Sequence, residues 1–124
     1  MINALTAFNI LINELKINYH YGCNNDAKIT YPYWVGEALY TSQTYEDKSE
    51  NITIKLVGIS RGSYTELLRE YDRIKNYFKH TRKLHFDSGV AVFNLAGTTP
   101  YIPTGDADLK RTEINIDGTL WETD

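Results

Sequence analysis

The most constraining feature of this chain is a change of hydrophobic period between Asn51 and Phe78. From Asn51 onward, Ile52, Ile54 and Leu56 alternate with Asn51, Thr53 and Lys55. A period of two demands a strand with one buried and one wet face, as in an antiparallel pair. Past Ser60-Arg61-Gly62-Ser63 the spacing becomes three and four, and Tyr64, Leu67, Leu68, Tyr71, Ile74 and Phe78 fall on one stripe of a helix. Ser63 and Glu66 stand at capping-box spacing, which predicts a helix over 63–78. Val57 and Ile59 depart from the phase of the strand, which implies burial on both faces there or a bulge near Gly58.

The remaining elements read outward from this core. Ile2, Leu5, Phe8, Ile12 and Leu15, flanked by Leu11, form the stripe of a first helix. It breaks within Asn18 to Asn25, where Gly22, Asn24 and Asn25 are turn formers. Tyr31-Pro32-Tyr33-Trp34-Val35-Gly36 opens a strand just after Pro32, because proline has no ladder donor and biases Tyr31 towards extended geometry. That strand runs to Tyr45, and Glu46-Asp47-Lys48-Ser49-Glu50 makes a charged hairpin tip. A strand at Val90 to Leu95, a loop from Ala96 to Asp108 and a strand from Leu109 to Trp121 follow. In the last, Ile114, Ile116 and Leu120 share a face with Gly118. The order predicts a single α+β domain over residues 1–124, with a mostly antiparallel sheet and two helices packed on one face.

Composition narrows the functional classes. A chain of 124 residues supports one core. Ten tyrosines favour protein–protein contacts, since each combines an apolar body with a polar tip. A net charge of −3 argues against general nucleic-acid binding. Cys23 is the only cysteine, which excludes an intrachain disulfide and a cysteine-based zinc site. There is no basic leader at the N-terminus and no apolar run of the roughly 20 residues that span a bilayer, so the chain is expected to stay in a cytoplasm, away from membranes.

The residues that might carry chemistry are few. His20, His80 and His85 include no helical metal-ligand pair. His80 and His85 belong to a basic run, Lys79 to His85, which reads as cations beside a helix C-terminus or, alternatively, as a phosphate- or acid-binding patch. Asp106 and Asp108 have the spacing of a cation site but lack its downstream glutamate, and read as turn formers. Cys23 with His20 would make a nucleophile and base without a third, orienting group. No phosphate loop, dinucleotide fingerprint or nucleophile elbow occurs. The expectation is a protein that is not an enzyme, with no catalytic residue, cofactor or metal. Two segments read instead as contact surfaces: the acidic tip with Glu46, Asp47 and Glu50, and the long loop with Tyr101 and Ile102.

Taken together, the first amphipathic helix, the Tyr31-Pro32-Tyr33-Trp34-Val35-Gly36-Glu37 opening, the acidic hairpin, the strand Ile52 to Val57 ending in Ser60-Arg61-Gly62, the capped helix and the two closing strands resemble the tail-completion or tail-terminator proteins of long-tailed bacteriophages. The resemblance covers most of the chain. It departs at 96–108 and in the basic run, which leaves a neighbouring head–tail or minor capsid component open. It implies a virion protein made in the bacterial cytoplasm. Its partners would be itself, in a hexameric ring, and the tail-tube and head-connector proteins, with no sequence-specific nucleic acid and no membrane. The alternative is a monomeric acidic inhibitor-like module whose hairpin masks a basic protein.

Overall fold

The computed structural model describes residues 4–44, 49–86 and 89–122. Helix α1 spans Ala4–Asn13, and three strands follow: β1 Tyr19–Tyr21, β2 Tyr33–Thr44 and β3 Ser49–Arg61. Helix α2 spans Thr65–Lys79 and leads to β4 Arg82–Phe86, β5 Gly89–Thr99 and β6 Leu109–Glu122. The strands form one curled sheet in the order β1-β2-β3-β6-β5-β4. Among the described residues only β1 and β2 are parallel; every other neighbouring pair is antiparallel. The expected α+β class holds.

Alternation decides which face the helices cover. In β3 the buried positions are Ser49 and then, in alternation, Ile52, Ile54, Leu56, Gly58 and Ser60, and in β6 they are Thr112, Ile114, Ile116, Gly118 and Leu120. The alternating positions lie side by side across the β3–β6 ladder, with Ile54 opposite Ile116 and Leu56 opposite Ile114. Both helices pack on them. From α1 come Ala4, Ala7, Phe8, Leu11 and Ile12; from α2 come Leu67, Tyr71, Ile74 and Phe78. Phe8 links the layers, stacking on Phe78 at 5.7 Å and meeting Phe93 edge-on at 5.6 Å.

Several expectations need correction. The α1 stripe is rotated: Ala4, Ala7 and Leu11 are buried with Phe8 and Ile12, Leu5 is only half-buried, and Ile2 lies outside the described residues. The capping box is not formed. Ser63 Oγ accepts from the Thr65 amide at 3.1 Å, while Glu66 pairs with Arg69 at 2.9 Å, so the hydroxyl acts through a short turn ahead of the helix. Leu68 is half-buried, unlike Leu67. The ladder is regular at Gly58; the shifts occur instead between Ala38 and Tyr40 and between Leu95 and Gly97. Gly58 has another reason to be glycine. A Cβ there would lie 2.7 Å from the Trp34 ring directly across the ladder and 2.8 Å from Leu67.

Two strands were not expected. β1 is too short to show a period. β4 was hidden in the basic run, of which only Lys79 ends α2. In β4, Lys83 and His85 face out, whereas Arg82, Leu84 and Phe86 turn inward. The Arg82 guanidinium lies 4.1 Å from the Tyr77 ring centroid, and its Nε donates to the Tyr77 carbonyl at 2.6 Å. The loop predicted at 96–108 is also shorter, since β5 continues to Thr99.

Candidate functional site

The start of β2, the end of β3, the start of β6 and the end of β5 meet at one end of the sheet, as the pairs Tyr33–Ile59, Arg61–Leu109 and Thr99–Glu113 establish. This end gathers segments far apart in sequence. The β2 entrance supplies Tyr31, the β3–α2 junction supplies Arg61 and Tyr64, and the loop 100–108 supplies Tyr101, Asp106 and Asp108.

Arg61 organises this end. Its Nε donates to the Tyr31 hydroxyl at 3.3 Å and its Nη1 to Asp108 Oδ2 at 3.3 Å, with Asp106 Oδ2 at 3.6 Å. The bonds it donates to Tyr31 and Asp108 raise the affinity of the guanidinium for its proton, so it is a fixed cation. Such exposed pairs add little stability, but a guanidinium fork fixes geometry. The two aspartates are thereby engaged as an arginine clamp and as turn formers; Asp106 Oδ1 accepts from the Asp108 amide at 2.9 Å. Gly62, at φ +84°, donates its amide to the Asp108 carbonyl at 2.8 Å.

The loop is braced along its length. The Ile102 amide donates to the Arg111 carbonyl at 3.1 Å, and Thr104 Oγ1 donates to Asp106 O at 2.8 Å. Tyr101 and Ile102, expected together at the surface, separate in role. Tyr101 is 60% exposed and rests edge-on against Tyr64, with ring centroids 5.0 Å apart. Ile102 is half-buried and lines a shallow cavity of about 320 Å³ with Tyr64 and Lys110. Lys110 Nζ sits 5.4 Å from the Tyr64 ring centroid. The result is an aromatic surface held in shape from below.

Of the acidic candidates, the structure places only Glu50. Glu46 and Asp47 lie outside the described residues. Glu50 is at the opposite end of the sheet, pairing with Gln43 and Leu120, and its Oε1 accepts from the Ala4 amide at 3.3 Å. A carboxylate at that position complements the start of α1. His20 and Cys23 are likewise engaged locally. His20 Nε2 lies 2.9 Å from Asn18 Oδ1 and 3.4 Å from Asp26 Oδ2, and the exposed Cys23 thiol contacts Asn25 Oδ1 at 3.3 Å. Among the described residues no group of three or more His, Cys, Asp or Glu side chains is placed to hold a metal ion.

Arg61 and Tyr31 belong to junction motifs visible in the sequence, but the clamp of Arg61 on Asp106 and Asp108 spans more than forty residues. No local pattern announces it. The helical stripe places Tyr64 in the core, and nothing in the sequence signals its role under Tyr101. No protein-family model matches the chain, and a search of curated proteins finds no significant relative.

Proposed function

We propose that this chain is an assembly subunit of a long-tailed bacteriophage or prophage. It acts like a tail terminator, forming a homo-oligomeric ring that caps the tail tube and joins it to the head connector. The observation that carries the reading is the braced aromatic end, where Tyr101 stands exposed on a loop clamped by Arg61 and supported by Tyr64. Little side-chain and loop entropy is left to lose when a neighbour docks on such a surface. Closed rings need head-to-tail contacts, in which a projection on one subunit meets a different surface on the next. Tyr101 is the projection. The outer edges of β1 and β4, at the two sides of the sheet, are receiving surfaces of the kind that assembly covers. A net charge of −3 suits a ring through which DNA slides without adhering.

The test is a Tyr101→Ser, Ile102→Ser double variant, followed by circular dichroism and sedimentation. The expected result is a folded subunit with impaired ring formation. Normal assembly of the folded variant would remove this end from the interface.

A further inference from the structure

The sheet ends in a step on each side. β1 pairs with Trp34, Val35 and Gly36, and among the described residues no strand lies beside β2 on that side from Glu37 to Thr44. On the far side β4 pairs with Gly89 to Phe93, which leaves β5 open from Asn94 to Thr99. Glu37, Leu39, Asn94, Ala96, Thr98 and Thr99 are exposed along these stretches. Lysine and proline, the usual guards of an open edge, occur in neither.

The two steps are complementary. Followed across the ladders, Gly36 is level with Leu56, Ile114 and Thr98, and Thr41 is level with Ile52, Gly118 and Phe93. β1 therefore projects at the aromatic end, where the opposite side is recessed, and β4 projects at the other end, where β2 is recessed. With two copies side by side and undisplaced, β4 of one enters the β2 recess of the next, Arg82 to His85 level with Thr41 to Thr44. The β1 of that next copy enters the β5 recess of the first, His20 level with Thr99 and Tyr21 with Thr98. The levels of Glu37, Ala38 and Tyr40 lie between, so the projecting strands do not collide, and the pleat stays in phase. Charge favours this match. β4 is basic, with Arg82 and the exposed Lys83 and His85, whereas Glu37 is the only charged residue in the β2 stretch. Two β4 edges together would oppose like charges.

We propose that copies of this chain join head to tail through these steps, so that one sheet runs across each join. Main-chain hydrogen bonds along both recesses hold it, and a head-to-tail contact can repeat around a ring. This join presupposes the self-assembly proposed above and supplies its contact strands. β5 leads through Pro100 to Tyr101, so the join is continuous with the aromatic end.

Tyr21→Cys and Thr98→Cys, each in a Cys23→Ser background, are mixed and oxidised, and amide hydrogen exchange of the wild type is followed as its concentration rises. A disulfide-linked dimer is expected from the mixture and from neither variant alone. Exchange is expected to slow at 37–44, 82–86 and 94–99 together. Leu39→Lys and Ala96→Lys, each placing a cation in a recess, are expected to lose association in sedimentation while circular dichroism stays unchanged. Association without protection of both recesses, protection of 37–44 alone, absence of the mixed dimer, or normal association of a folded lysine variant overturns the join and leaves the ring reading standing. Protected recesses and mixed dimers in open filaments uphold the join and sink the ring. A monomer at every concentration overturns both. If a lysine variant unfolds, exchange and cross-linking decide.

Discussion

Replacing Gly118 by alanine puts a methyl group where the Phe93 ring already lies. Gly118 and Phe93 face each other across the β5–β6 ladder, and an added Cβ would stand 2.3 Å from Cε1 and 2.4 Å from Cδ1 of that ring. Carbon atoms rest about 3.5–4.0 Å apart, so one partner must move by about 1 Å. Phe93 has little freedom to do so. It is fully buried, held edge-on by Phe8, and the Ile52 methyl lies 3.1 Å from the same Cβ position. Overpacking of this kind costs about 1–3 kcal/mol, and the rigidity of the site places Gly118→Ala near the upper end. Urea unfolding monitored by tryptophan fluorescence should show a lower midpoint with an unchanged slope. In a Phe93→Leu background, where the ring is gone, the same substitution should cost about 1 kcal/mol or less. A loss below about 0.5 kcal/mol with Phe93 present would refute the ring-over-glycine account.

Other outcomes follow from the same packing. Leu67→Ala should destabilise by about 2–5 kcal/mol, and Leu68→Ala by clearly less, because only Leu67 is fully enclosed; equal losses in denaturation would show that α2 is rotated. Burial pushes the Glu70 carboxyl up, against the opposing pull of its bond from Trp34 Nε1 and of Arg73. The native state thus holds this proton to higher pH than the unfolded chain, and stability falls as pH rises from the unfolded carboxyl value through the folded one. Glu70→Gln, whose amide oxygen still accepts from Trp34, should gain on the wild type as pH is raised from about 4 to 7; a parallel pair of stability curves would contradict this. Burial and the nearby Glu14 carboxylate raise Tyr77 to about 12. Stability linked to it is then complete below the unfolded tyrosine value near 10 and is lost between there and about 12, a loss that Tyr77→Phe should lessen in alkaline unfolding.

The sequence was most legible where one period ran unbroken. Ile52, Ile54 and Leu56, and Ile114, Ile116 and Leu120, face the core as their alternation predicts, and the α2 stripe needed only Leu68 and Tyr64 moved to its margin. The first helix was harder, because Ala4 and Ala7 carry weak hydrophobic signals yet are fully buried. In β4 the alternation exists, but its half-buried Arg82 lays its guanidinium over the Tyr77 ring, which a charge count reads as solvated surface. The candidate site was legible only in parts. Tyr101 and the Arg61 junction could be singled out, whereas the clamp from Arg61 to Asp106 and Asp108 depends on strand register that brings distant residues together.

The central claim is that this subunit closes into a ring through its braced aromatic end. Sedimentation velocity over a rising protein concentration, with electron microscopy of the heaviest fraction, tests it most directly. The account predicts closed rings for the wild-type chain and their loss in the folded Tyr101→Ser, Ile102→Ser variant. A single species at the 14.3 kDa subunit mass throughout, with no rings in the micrographs, would contradict it.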